Sequence, residues 1–437
     1  VNSPGQAAAF DVVVIGAGAA GLMTAITARR AAPDCRVALV DGARRPGAKI
    51  LVSGGSRCNV TNTIVTERDF CGGSPAVVRR VLRAFPASAA AEFFRSLGVS
   101  LHEEPGGKLF PRSNRSRDVV EALLTDAARA GVDTRWGHRV TGVVPVATGF
   151  RIDSTQGALA ARRIVLATGG LSLPKTGSDG WGYEAARSLG HTIVATTPAL
   201  VPLLLGDTPP AVHRRLSGVS QLVSLEVAAG PAASKAAGGA PARLARVEGR
   251  LLWTHFGVSG PAVLDLSRHW LRAGVDGRTP VVTANFLPGN RPEDLERRWL
   301  EAIRARPRGR PESLVEGALP ASAAQRLTAA VLASVDDADQ GGPAIVADLS
   351  RTARRALLRG LTAWRLPVQG SRGYNYAEVT AGGVPLSEID PATLESRRCP
   401  GVYLVGEVLD VDGRLGGFNF QWAWSSGVVA GRAVARG

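Results

Sequence analysis

Gly16, Gly18 and Gly21 form a Gly-x-Gly-x-x-Gly run, and Asp41 follows about 20 residues further on. The spacing suits a nucleotide diphosphate. Gly16 permits a tight turn, Gly18 lets the backbone approach a pyrophosphate, and Gly21 lets a helix pack closely on a strand. Ala19 and Ala20 lie in the same run just ahead of that helix, whose free N–H groups and partial positive charge suit phosphate oxygens. Asp41 can accept hydrogen bonds from ribose hydroxyls, and its charge repels a 2′-phosphate. The run does not separate NAD from FAD, and a glycine-rich turn without a ligand shares its composition.

These residues need a strand before the turn and a helix after it. Residues 10–15 are a continuous β-branched run suited to a buried parallel strand. Residues 22–32 read as a helix stopping before Pro33, and residues 36–40 as a second strand ending at Asp41. This is a βαβ unit. Residues 163–167 form another apolar strand running into Thr168-Gly169-Gly170, and residues 182–190 a helix. Residues 402–405 and about 419–435 supply a late strand and helix.

Between about 196 and 370 the texture changes. Residues 216–227 and 242–253 alternate like antiparallel strands, joined by a Gly/Ala/Pro connector at 230–241. Residues 293–306, 313–335 and 349–363 have helical spacing. The expected organisation is a doubly wound α/β domain, residues 1–195 and 371–437, interrupted by an insert at 196–370. The insert's β part is expected at about 196–260 and 340–370, its helical part at about 261–340.

Two further segments carry polar groups. Residues 49–62 read Lys-Ile-Leu-Val-Ser-Gly-Gly-Ser-Arg-Cys-Asn-Val-Thr-Asn, a loop of small and amide side chains able to close on a flat polar ligand. Residues 406–424 follow a buried strand and enter the last helix through Gly416 and Gly417, offering a second helix N-terminus to a ring carbonyl or phosphate.

With these segments the chain resembles the HI0933-like or BaiN-like family of NAD(P)/FAD-dependent oxidoreductases, which are flavoproteins. The resemblance is carried by the glycine run, by residues 49–62, by Thr-His-Phe-Gly-Val-Ser-Gly-Pro at 254–261, by Val-Thr-Ala-Gly-Gly-Val at 379–384 and by residues 406–427. It implies non-covalent FAD on a Rossmann-type domain with an inserted β-barrel and helical region. By that resemblance Gly16, Gly18 and Gly21 hold the pyrophosphate and Asp41 the adenosine ribose. Lys49, Ser53, Asn59 and Thr61 line the FAD cleft, and Val140 meets adenine through its backbone. Thr168 and Gly169 pass near the pyrophosphate and adenosine. Gly406, Glu407, Asp412, Gly417, Asn419 and Phe420 approach the ribitol and isoalloxazine.

Flavin carries hydride transfer, and the protein supplies position and electrostatics. There is no second Gly-x-Gly-x-x-Gly after a strand, and Cys58 and Cys71 are not a Cys-x-x-Cys pair. NAD(P)H is therefore expected as a transient reductant docking directly on the flavin under the insert, with a small-molecule substrate following it. His255, Tyr374 and Tyr376 are the candidate proton donors or substrate contacts, although a packed histidine or a domain-seam tyrosine fits the same positions. Cys58 reads as a packing residue, Trp422 and Trp424 as core, and Arg57 could be satisfied by a loop carboxylate.

Composition excludes several classes. With 45% apolar and 20% charged residues the 437-residue chain is not a disordered one. No apolar run reaches membrane-spanning length, no signal peptide is evident, and four irregularly spaced cysteines give neither a metal pattern nor a disulfide framework. A soluble, cytoplasmic protein without membrane contact is expected, its oligomeric state unread. The formal charge of +15 comes from arginines spread along the chain rather than gathered in a stripe, which argues against a nucleic-acid partner. The expected reaction is NAD(P)H-dependent reduction of an activated C=C bond. The alternatives are an amine or aminoketone oxidase using O2, an RNA-associated flavoprotein and a flavin-bound protein without turnover.

Overall fold

The computed structural model describes residues 9–207, 211–229, 242–334 and 344–436, and the connector expected at 230–241 lies outside them. The chain divides into two compact units, residues 1–198 with 377–437, and residues 199–376.

The first unit is built on a mixed sheet. Its opening strand, Ala9–Ile15, pairs in parallel with Val37–Asp41 on one side and with Leu159–Leu166 on the other. Asp133–Trp136 extends one edge in parallel. Leu159–Leu166 is shared on its outer side. Residues 159–161 pair antiparallel with Gly149–Ser154, and residues 164–166 pair in parallel with Val402–Leu404. The central valines Val12, Val13 and Val14 are fully buried, as strands covered on both faces require.

The first helix, Ala19–Ala31, and the last, Phe418–Val434, lie against one another. Small residues make this possible. A Cβ on Gly427 would fall 2.8 Å from the Ala20 carbonyl oxygen, and one on Gly431 would fall 2.7 Å from that of Thr24. Sequence ends more than 380 residues apart are thereby held backbone to backbone. The N-terminus of the last helix is placed by this packing.

The second unit is an antiparallel sheet covered by helices. Its strand order is Trp364–Leu366, Pro280–Asn285, Ser220–Ala229, Ala242–Thr254, Gly257–Ser259, Leu203–Leu205, Val368–Ser371. The resemblance implied a barrel. Among the described residues no pairing closes this sheet, yet its two edge strands are consecutive in sequence and joined through Pro367. The sheet turns back on itself through the chain, and Pro367 brings no N–H to the join. The unit's core gathers Trp253, Phe286, Trp299, Leu327 and Leu361.

Two internal boundaries differ from expectation. The stretch expected to be helical, 261–340, also holds the strand Pro280–Asn285, and the expected β part, 340–370, holds the helix Arg351–Thr362. The strand is six residues long between two helices, too short to show a period, and pairing with Ser220–Ala229 decides it.

Candidate functional site

The glycine turn has the geometry its spacing predicts. Gly16 has φ +104°, and a Cβ there would lie 2.5 Å from the Ala167 carbonyl oxygen. A Cβ on Gly21 would lie 1.9 Å from the Gly16 carbonyl oxygen, so strand and helix meet without side chains. Gly18 differs. A Cβ there would meet nothing within 4 Å, so the turn is open on the side where a phosphate would come. Ala19 and Ala20 follow, and the first helical turn carries no acidic residue to repel an anion.

Asp41 closes the turn. One carboxylate oxygen accepts from the Ala17 N–H at 2.7 Å, the other from the Ala43 N–H at 2.7 Å. Each oxygen keeps a lone pair for a ribose hydroxyl. Arg139 packs on Gly42, placing Val140 in the next position of the chain beside this turn.

A second group gathers Lys49 and Glu407. The Lys49 ammonium lies 2.8 Å from Glu407 and 2.9 Å from the Ser172 hydroxyl. Ser172 Oγ also donates to Glu407 at 2.8 Å, and the Thr380 N–H reaches the same carboxylate at 3.0 Å. Gly169 and Gly170 border this cluster. A Cβ on Gly170 would sit 2.7 Å from Glu407 Oε1, and one on Gly169 would be 4.0 Å from Lys49 Nζ. The Thr168 hydroxyl is buried without a partner among the described residues. Gly406 donates its N–H to Ser426 Oγ, which ties this corner to the last helix.

The segment 49–62 is irregular for physical reasons. Its helical run breaks at Ser53, whose hydroxyl donates back to the Ile50 carbonyl, and Gly54, Gly55, Ser56 and Cys58 follow at positive φ. Cys58 is buried, and burial pushes its thiol up to about 12, so it is no nucleophile at neutral pH. Arg57 pairs with Glu104 at 2.5 Å and stacks on Phe110. Beyond it the segment is stitched to the N-terminus of the last helix. The Asn59 amide accepts from the Gly417 N–H at 3.0 Å, Thr61 donates to Gln421 at 2.6 Å, and Trp424 donates to the Val60 carbonyl at 2.8 Å. Asn419 bonds both the N–H and the carbonyl of Gly413, each at 2.8 Å, and Asp412 beside it is buried. Phe420 stacks on Trp424 with centroids 5.6 Å apart.

The structure thus brings Lys49, Gly169 and Glu407 into one cluster, and Asn59, Thr61, Gly417, Asn419 and Phe420 into another. His255, Tyr374 and Tyr376 fall in the second unit. His255 is exposed at the turn after Ala242–Thr254, with its ring edge-on to Phe256 at 5.1 Å. Tyr374 and Tyr376 share one short 3-10 turn, and Tyr376 is 50% exposed. Sequence reasoning missed Ser172, Thr380 and Ser426, single hydroxyls whose importance comes only from what they face.

A line of Ser396, His191 and Glu388 has the outline of a nucleophile triad. Ser396 Oγ is 2.8 Å from His191 Nε2, and His191 Nδ1 is 2.8 Å from Glu388. Ser396 Oγ already accepts from the Arg398 and Cys399 N–H groups, so its hydrogen goes to His191 and its lone pairs are spent. With His191 fully buried, the group is a structural staple.

The residues fit FAD. The turn is open at Gly18, the two helix N-termini carry no acidic residue in their first turns, and Asp41 keeps lone pairs at the ribose position. No described group of His, Cys, Asp and Glu could hold a metal ion, and no described helix is long and apolar enough to cross a membrane.

Comparisons agree with this geometry. Residues 10–433 match the family described as HI0933-like protein Rossmann domain. The chain is 35% identical to the ribosomal RNA dihydrouridine synthase of Escherichia coli (strain K12), over 95% of this chain and 96% of that one. It is 34% identical to the 3-dehydro-bile acid delta(4,6)-reductase of Clostridium scindens, over 97% and 98%. A quinol-fumarate reductase structure solved with menaquinol shares the fold at a TM-score of 0.51 and 16% identity, over 98% of this chain and 71% of that one. The chain therefore belongs to the HI0933-like family of Rossmann-domain proteins.

Proposed function

We propose that this FAD-dependent oxidoreductase reduces a C=C bond conjugated to a carbonyl in a ring substrate, with NAD(P)H as reductant. One observation carries the reading. The names of two relatives, each 34% identical or more across nearly the whole chain, describe the same bond change on different rings. Forming dihydrouridine and reducing a delta(4,6) bond both add hydrogen across a ring C=C. In the balance NAD(P)H and one proton are consumed, one carbon gains a hydride, the other gains a proton, and NAD(P)+ leaves.

FAD, when bound, supplies the atom that takes and returns the hydride. The chain's own residues hold it. The amides at Gly18, Ala19 and Ala20 bind the diphosphate, and Asp41 the ribose, with Gly16 and Gly21 shaping the turn. Val140, Thr168 and Gly169 border the adenosine side. Lys49, Ser53, Asn59, Thr61, Gly406, Glu407, Asp412 and Gly417 frame the ribitol and ring, with Asn419 and Phe420 opening the last helix. That helix N-terminus favours the electron-rich oxygen of the ring system. His255, Tyr374 and Tyr376 are the proton-donor candidates.

Anaerobic mixing of the FAD-loaded protein with NADH or NADPH should bleach absorbance near about 450 nm, and a conjugated enone or uridine should restore it. If neither nicotinamide bleaches it, the reductase reading fails. Peroxide formed from an amine without nicotinamide would support the oxidase alternative.

A second reading places the C=C bond in a uracil within RNA. The E. coli relative bears that name, and although the arginines form no stripe along the sequence, the overall field of a +15 chain draws polyanions. Binding to ribosomal RNA that weakens steeply between about 50 and 200 mM salt would support it.

A further inference from the structure

The strand Leu203–Leu205 lies between Gly257–Ser259 and Val368–Ser371, with Leu204 facing Gly257 on one side and Gly370 on the other. The turn holding His255 and Phe256 therefore lies beyond the Leu205 end of that strand, and the turn holding Arg372 to Tyr376 beyond its Leu203 end, two strand spacings away. Arg372 bridges them. Its guanidinium carbon lies 3.4 Å from the Tyr376 ring centre and 4.5 Å from that of Phe256. Its backbone N–H is fixed on the Pro202 carbonyl at 3.1 Å.

A guanidinium carries five N–H donors in a rigid plane. Stacking on rings holds that plane still and leaves its edge free. No side-chain hydrogen bond or ion pair of Arg372 occurs among the described residues, although the residue is half-buried. Other arginines of this unit do find carboxylates. Arg214 pairs with Asp207 at 2.6 Å, and Arg297 with Asp294 at 2.7 Å. Arg372 is thus a preorganised fork with its donors uncommitted, against the half-exposed ring of Tyr376 and the ring of Phe256. A planar pair of negatively charged oxygens matches it in shape and charge.

We infer that Arg372 binds an anionic oxygen group of the substrate, a carboxylate or a phosphate, while Tyr376 and Phe256 hold the guanidinium in place. Calling the bound molecule a substrate rests on the oxidoreductase reading above, but the anion binding does not. The geometry is held within residues 202–376, and the ligand class follows from the fork. A carboxylate on a small unsaturated acid and a phosphate on a nucleotide share this chemistry.

The test is calorimetric titration of the FAD-loaded protein with two pairs, crotonate against crotonamide and uridine 5′-monophosphate against uridine. Flavin content is read by absorbance on the same samples, so loss of cofactor is seen separately from loss of anion binding. The native protein should prefer at least one anion over its neutral partner by about tenfold, and R372Q should abolish that preference. The pair that discriminates identifies the source of the anion. R372K keeps the charge without the planar fork and should retain only part of the preference, which controls for misfolding of R372Q. Equal binding of each anion and its neutral partner by the native protein, or an unchanged preference in R372Q, would overturn the assignment.

Discussion

Lys49 and Glu407 stand 358 positions apart in sequence and 2.8 Å apart in space. Their side chains are only 22% and 16% exposed, so each charge relies on the other. Removing one partner strands the other in a poorly hydrated place. K49M and E407Q should each lower stability by about 2–3 kcal/mol and weaken FAD retention, and the double variant should recover part of the stability. Thermal melts of the four proteins, with flavin absorbance after desalting, check this. Additive losses would show that the pair is not coupled.

Gly18 and Gly21 should behave oppositely on substitution by alanine. At Gly18 the added Cβ meets nothing and the backbone lies at φ −81°, so G18A should fold with a stability change under about 1 kcal/mol while losing FAD affinity. At Gly21 the Cβ would collide with the Gly16 carbonyl, so G21A should destabilise the apoprotein by several kcal/mol, on the order of other overpacked cores. Apoprotein melting and equilibrium FAD titration separate the two effects. Equal FAD affinity in G18A and the native protein would show that no phosphate approaches there.

Cys58 should be silent towards thiol reagents. Burial pushes its thiol up to about 12. In native protein at pH 8 it should stay unlabelled by iodoacetamide, and it should label fully in urea. Mass spectrometry of the peptide spanning residues 57–68 reads this directly, and rapid labelling of native protein would contradict it.

His269, on the helix Pro261–Val275, gives a pH signature. Burial, aided by the charge of Arg268, lowers it from its ordinary 6.5 to about 4. The unfolded chain then takes up the proton first. Its contribution to stability is whole above pH 6.5 and is lost as pH falls towards 4. H269Q should match the native protein at pH 7 and flatten the acid loss, a difference of about 2–3 kcal/mol near pH 4. Urea melts at a series of pH values measure it. Parallel pH profiles would rule out the role.

The opening βαβ unit was legible because each of its signals is local. A β-branched strand, a glycine turn, an alanine-rich helix and Asp41 follow one another within about 40 residues, and each local preference agrees with the final fold. The strand Pro280–Asn285 was not legible, since six residues without a clear period become a strand only by pairing with Ser220–Ala229. The closure expected of a barrel was likewise not decidable locally, because it depends on whether the edge strands beside Pro367 meet in register.

The amino-acid order alone therefore determined the nucleotide-binding turn, the class of fold and the run of residues from which a flavin site would be made. Only the tertiary structure decided that Lys49 meets Glu407 and Ser172, that Thr61 is committed to Gln421, and that Arg372 rests between Phe256 and Tyr376 with its donors free. The reason is physical. A turn or helix is set by neighbours a few residues away, whereas these contacts join distant segments. Their geometry follows from sheet register and from the close approach that Gly427 and Gly431 allow between the first and last helices.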